Sequence, residues 1–219
     1  MSDGTLYIGT KRYSSWSLRG WLAVRLAGLD VSEVVIPLAG GTTKAVKETS
    51  PSGYVPYLVH QGIEIWDSLA IGEYCAELAP ALWPQDRAAR AQARAISAEM
   101  HAGFRELRIN MPMSLYRQAA GAGMTPGVAT DIARIDVIWR AALERSGGPF
   151  LFGQTLTIAD AMYAPVVCRF LTYRPALSGQ ALAYCAALRA HPLMEAWYAD
   201  AAREPAAWFI PAMEAALPA

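Results

Sequence analysis

Strand-like sequence is confined to the first eighty residues of this chain, and that asymmetry constrains the fold more than any other feature. Leu6-Tyr7-Ile8, Val34-Val35-Ile36, Tyr57-Leu58-Val59-His60 and Ile63-Glu64-Ile65-Trp66 are short β-branched or aromatic runs bounded by Gly, Pro and polar residues, as strands are. Gln61-Gly62 between the last two reads as a tight hairpin loop. Beyond Pro80, Trp83 and Pro84 the strand signals vanish. Ile96, Met100, Phe104, Leu107 and Met111 follow at spacings of three and four, as do Val128, Ile132, Ile135 and Trp139. Ala181, Tyr184, Cys185 and Leu188 form another helical stripe, stopped at His191-Pro192, and Leu193, Met194, Trp197 and Tyr198 begin the next.

Within the first part, Leu18, Leu22 and Leu26 predict a helix over Ser17 to Leu29 with Gly28 at its exit, and Ile71, Tyr74, Cys75 and Leu78 predict a second. A short helix is expected near Thr43 to Glu48. The order βαβαββα requires a parallel pair joined by a crossover, with a hairpin adding an antiparallel strand, which matches a thioredoxin-like layout. The expected fold class is therefore α/β plus all-α: a thioredoxin-like domain over residues 1–79, a linker over 80–85 and an all-helical domain over 86–219. A chain of 219 residues can bury such a core without disulfides or a structural metal.

Composition excludes several function classes. Hydrophobic residues make up 54% and charged residues 17%, which argues against disorder; 19 Lys plus Arg balance 19 Asp plus Glu, so no nucleic-acid partner is expected. Cys75, Cys168 and Cys185 are an odd number with no Cys-x-x-Cys pattern, so neither a disulfide framework nor a metal site is expected, and each reads as a small buried hydrophobe. No basic-then-apolar leader opens the chain, and Arg169 and Arg174 interrupt the apolar stretch after Ala161. The expectation is a soluble cytoplasmic protein with no membrane partner.

Three segments carry candidate chemistry. Tyr13-Ser14-Ser15-Trp16-Ser17 lies between the first strand and first helix, where hydroxyls meet unpaired N–H groups and the positive end of the helix dipole. One serine suffices as an N-cap, and here there are three. Val55-Pro56 precedes the third strand; a cis bond there would leave the Val55 backbone free to pair with an extended peptide. Asp67-Ser68 opens the second helix, placing a carboxylate and a hydroxyl where an ammonium and a carboxylate can bind together.

In this order and spacing the three segments and the helical second part resemble the glutathione transferase family over nearly the whole chain. Ser14-Ser15-Trp16-Ser17 is most similar to the Ser-Ser-Cys-Ser signature of the zeta, or maleylacetoacetate isomerase, class, with Trp16 in place of the cysteine. That departure counts against cysteine-dependent chemistry and leaves serine-type activation. The resemblance implies glutathione as co-substrate, its thiol held by Ser14 with Ser15 or Ser17 as fallbacks. Val55 and Pro56 would meet the cysteinyl backbone, and Asp67 and Ser68 the γ-glutamyl end. It also implies a homodimer and a hydrophobic electrophile as acceptor, attacked by the thiolate. His101, Arg105 and Arg108, on the first long helix of the second domain, are the candidate substrate-binding residues.

Two other readings follow from the same residues. Glutathione would be recycled in a cis–trans isomerase of a maleyl-type diacid, its carboxylates held by Arg19, Arg105 or Arg108; alternatively the fold would serve as a non-catalytic binding module. Thr157-Ile158-Ala159-Asp160 resembles the family's structural capping box, with Pro165 further along the same segment expected to kink the helix. His60 and His191 have structural readings and no triad partners.

Overall fold

The structure is a computed structural model that describes residues 2–38 and 43–217. Its first part is a mixed sheet of β1 (Gly4–Gly9), β2 (Ser32–Ile36), β3 (Tyr57–His60) and β4 (Ile63–Ile65) in the order β2-β1-β3-β4. β1 runs parallel to β2 and antiparallel to β3, and β3 pairs antiparallel with β4. The hairpin between β3 and β4 turns on Gln61 and Gly62, both at positive φ (51° and 80°), the conformation a two-residue loop needs to match the twist of its strands. Helices α1 (Ser15–Leu26), α2 (Lys44–Thr49) and α3 (Ser68–Leu78) complete this thioredoxin-like unit.

After a short 3-10 turn at Pro80–Leu82 the chain is helical: α4 (Arg87–Ala102), α5 (Arg105–Asn110), α6 (Pro126–Ser146), α7 (Ile158–Tyr173), α8 (Gly179–Arg189), α9 (Pro192–Ala202) and the single turn α10 (Pro211–Glu214). Every residue of α7 except Leu171 is buried, so this helix has no polar face and sits at the centre of the molecule. It packs against α1 and α4, which makes the core continuous between the two parts. The helix runs on through Pro165. At its start Asp160 Oδ2 accepts from the Thr157 N–H (2.8 Å) and hydroxyl (2.9 Å), while Oδ1 accepts from the Leu151 N–H (3.0 Å) and the Tyr184 hydroxyl (3.2 Å).

Two sequence expectations are corrected. The first helix begins at Ser15 rather than Ser17, because Ser14 caps it by accepting from the Ser17 N–H. The stripe from Ile96 to Met111 is two helices: α4 ends at Ala102, Gly103 follows, and Phe104 takes a left-handed conformation (φ 57°) before α5. A side chain at Gly103 would come within 2.8 Å of the Glu99 carbonyl, so only glycine fits this close approach. Arg108 closes the break, its guanidinium donating to the carbonyls of Gly103 (2.9 Å) and Met100. Periodicity survives the break because Phe104 and Leu107 remain buried.

The three cysteines are buried and unpaired, and burial pushes their thiols up, to about 12 for Cys75 and Cys185 and about 11 for Cys168. His60 Nδ1 lies 2.7 Å from the Tyr74 hydroxyl, and His191 caps α9, both structural placements.

The turn between β1 and α1 is held from the far end of the sequence. Lys11 Nζ pairs with Glu33 (2.5 Å) and Asp200 (2.6 Å) and lies over the rings of Trp21 and Trp197. Glu204 accepts from the Lys11 N–H (2.5 Å), and Arg12 donates to both oxygens of Glu214 (3.1 and 2.8 Å), which also accepts from the Tyr13 hydroxyl. Hydrogen bonding to Arg12 holds the Glu214 carboxyl below its usual range. A depressed folded-state pKa stabilises above the ordinary carboxylate value and is lost as pH falls toward the folded one. The amide protection factors of residues 206–217, corrected for the intrinsic pH dependence of exchange, are therefore expected to fall on acidification through the carboxylate range before those of α7 do; a parallel fall of both would contradict this.

Candidate functional site

A cleft of about 370 Å³ lies where the sheet unit meets α4, lined by Trp16, Ser52, Tyr54, Val55, Pro56, Trp66, Asp67, Ser68 and His101. Both the Val55–Pro56 and the Trp66–Asp67 peptide bonds in its wall are cis. Gly20 of α1 lets the helix lie against Pro56, since a Cβ there would come within 2.7 Å of the proline ring. Among the described residues the Val55 N–H and C=O have no backbone partner, so this stretch presents an unused donor and acceptor to the cleft.

Asp67 caps α3, with Oδ1 accepting from the N–H groups of Leu69 (2.9 Å) and Ala70 (3.4 Å). Its other oxygen lies 3.1 Å from His101 Nε2 of α4, which ties the two halves of the cleft together. The Ser68 hydroxyl beside it and His101 Nδ1 are both buried without a partner. A buried polar atom left unpaired costs about 1–3 kcal/mol, so the cleft holds at least two groups that a polar ligand would satisfy.

The three serines have different surroundings. Ser17 Oγ accepts from the Gly9 N–H (2.9 Å) and from Ser14 Oγ (2.7 Å), which makes it a brace between β1 and α1. Ser14 Oγ occupies the N-cap, where the dipole and the unpaired N–H groups are strongest. Ser15, the first residue of the helix, makes no side-chain hydrogen bond among the described residues and does not have a wholly buried hydroxyl. None of the three lines the cleft wall itself; their neighbour Trp16 does. Ser17→Ala strands the buried Gly9 N–H and is expected to cost about 1–3 kcal/mol of stability, read by chemical denaturation. An unchanged denaturation midpoint would remove its bracing role.

Of the expected substrate-binding residues, His101 lines the cleft, Arg105 is exposed at the start of α5 and away from it, and Arg108 is half-buried at the α4–α5 break. Trp16 lies between the cleft and two cations: Arg19 is 4.5 Å and Arg108 4.8 Å from its ring centroid, and His101 packs edge-on at 5.4 Å. Trp16, Ser52, Tyr54 and Trp66 were not expected in the cleft. The signal in the sequence is that each lies within three residues of Ser14, Val55 or Asp67.

Residues 13–78 match the family described as glutathione S-transferase, N-terminal domain, and residues 117–200 match the corresponding C-terminal domain. A probable maleylacetoacetate isomerase of Caenorhabditis elegans is 30% identical over 169 residues, 74% of this chain and 76% of its own. The maleylacetoacetate isomerase of Rattus norvegicus is 30% identical over 179 residues, 79% of this chain and 81% of its own. Among solved structures, a bacterial zeta-class maleyl pyruvate isomerase superposes with a TM-score of 0.71 at 23% identity, covering 92% of this chain and 99% of that one. A Burkholderia glutathione transferase homologue with bound glutathione gives 0.69 at 22% identity, covering 92% and 99%.

Proposed function

The chain belongs to the glutathione S-transferase family of glutathione-dependent enzymes, and from that premise we propose that it activates the glutathione thiol with Ser14 for attack on a hydrophobic electrophile. The observation that carries this reading is the pair of unsatisfied groups in the cleft, the free Val55 backbone and the partnerless Ser68 hydroxyl beside Asp67. Val55 would pair with the cysteinyl peptide. Pro56 would shape the wall below it. Asp67 and Ser68 would take the ammonium and carboxylate of the γ-glutamyl end, with the start of α3 favouring the latter.

Lowering a thiol pKa of about 8.5 by about two units requires about 2.7 kcal/mol of preference for the anion. A charge-assisted hydrogen bond of about 1.5–3 kcal/mol and a helix-dipole contribution of about 0.3–1 kcal/mol reach that. Ser14 at the N-cap supplies both, its hydroxyl turning from Ser17 to the sulfur; Ser15, with no intramolecular partner, is the second assignment. The thiol proton leaves to solvent, and the thiolate forms a bond to the acceptor carbon while a leaving group departs from that carbon with its electron pair or a conjugated double bond opens and takes up a proton from solvent. Binding supplies orientation, and the helical part from residue 86 onward walls the acceptor side.

The names of the curated relatives favour a second reading, in which glutathione is recycled during cis–trans isomerisation of a maleyl-type diacid. Product analysis separates the two: conjugation consumes glutathione and isomerisation does not. A homodimer and a cytoplasmic location belong to the same proposal; sedimentation and fractionation test them. Among the described residues no helix is long and apolar enough to cross a membrane, and no group of His, Cys, Asp and Glu could hold a metal ion.

Asp67→Asn keeps an acceptor for the α3 cap and removes the charge. Glutathione affinity by calorimetry is expected to fall about tenfold or more, the equivalent of one charge-assisted hydrogen bond. An unchanged dissociation constant would remove Asp67 from the γ-glutamyl site.

A further inference from the structure

Three guanidiniums meet at the junction of α1, α5 and α7, behind Trp16 as seen from the cleft. Arg19 is 1% exposed and Arg169 4%. Arg19 spends Nε on the Met162 carbonyl (2.8 Å), and both its Nη atoms are buried without a partner. Arg108 spends two nitrogens on carbonyls at the end of α4 and leaves Nη1 buried and unpartnered. Arg169 donates to the carbonyls of Met111 (2.9 Å) and Pro165 (3.1 Å).

Among the described residues no carboxylate forms an ion pair with any of the three. The two carboxylates that act on them at longer range are otherwise engaged: Asp67 with the α3 cap and His101, and Asp131 with the Leu107 N–H (2.9 Å). Burial first, and then repulsion from Arg108 and Arg169, pulls the Arg19 guanidinium well below its ordinary value; burial and then repulsion from Arg108 bring Arg169 down to about 10. Buried charge of one sign with open donors requires a counter-charge. The guanidinium fork suits a small anion, carboxylate included.

We propose that Arg19, Arg108 and Arg169 form a binding site for one small monovalent anion, reached from the cleft when the Trp16 indole swings aside. Two sources share that chemistry: a free ion of halide or formate size, and the carboxylate of an acceptor that extends past Trp16. Only the second rests on the glutathione reading.

Bromide-soaked crystals of the wild-type protein test the site without a variant. An anomalous peak within hydrogen-bond reach of an Arg19 Nη atom upholds it. No such peak, or peaks at exposed guanidiniums only, overturns it. Conjugation of glutathione to 4-chloro-3-nitrobenzoate and to its methyl ester then identifies the source; in both, the sulfur–carbon bond forms and chloride leaves with the electron pair. If the acceptor supplies the anion, Arg108→Gln lowers the acid-to-ester ratio of kcat/KM about tenfold or more while the glutathione dissociation constant holds. An unchanged ratio assigns the site to the free ion. Calorimetry with glutathione alone reads the parent proposal separately, and its failure leaves the bromide result standing.

Discussion

Replacing Ser14 by alanine is expected to raise the titration midpoint of the bound thiol by about one to two units, the equivalent of a charge-assisted hydrogen bond of about 1.5–3 kcal/mol. At neutral pH the thiolate fraction falls with it, so turnover drops about tenfold or more and recovers as the pH is raised toward the new midpoint. Glutathione affinity should change little, because Val55, Asp67 and Ser68 are untouched. Thiolate absorbance against pH gives the midpoint directly. The recovery at high pH separates a lost donor from the loss of the α1 cap, which costs about 0.5–2 kcal/mol of stability and has no such signature. If Ser15→Ala shifts the midpoint and Ser14→Ala does not, the donor is the free hydroxyl at the first position of the helix.

The largest effect on stability is expected at Asp160. Its two oxygens satisfy four donors from Leu151, Thr157 and Tyr184, all buried. Asp160→Ala leaves at least three of them stranded at about 1–3 kcal/mol each. A loss of about 3 kcal/mol lowers the melting temperature of a chain of this size by about 6–12 °C. Asp160→Asn should recover only part, since its amide group would face donors with a donor. A calorimetric shift under about 2 °C for the alanine variant would show that water or relaxation replaces these bonds. The consequence reaches the site because α7, which Asp160 starts, packs against α1 behind the serine turn.

Features set by neighbours in sequence were the legible ones. Gln61-Gly62, the Thr157 to Asp160 box and the Asp67 start of the second helix need only a few consecutive residues, and all three form as their local chemistry implies; which of the three serines caps the first helix was not fixed by them. The break at Gly103 and Phe104 was not legible, because the apolar stripe passes over it unchanged and its cause is Arg108 folding back from the next helix. The division of labour among the serines was hidden for a similar reason: Ser17 is occupied by the N–H of Gly9, a strand residue that no helical pattern includes. Arg19 read as a candidate for substrate carboxylates, but its burial beneath Trp16 depends on helices from both halves of the chain.

The turn bearing Tyr13 and Ser14 is held by Asp200, Glu204 and Glu214, nearly two hundred positions downstream. On the ribosome the sheet and its serines emerge well before those carboxylates do. The turn therefore stays unanchored until residues 200–214 have been made and have folded back onto it. A chain that stops short of Asp200 is therefore expected to lack every one of these anchors on the serine turn, although all of the turn's own residues are present.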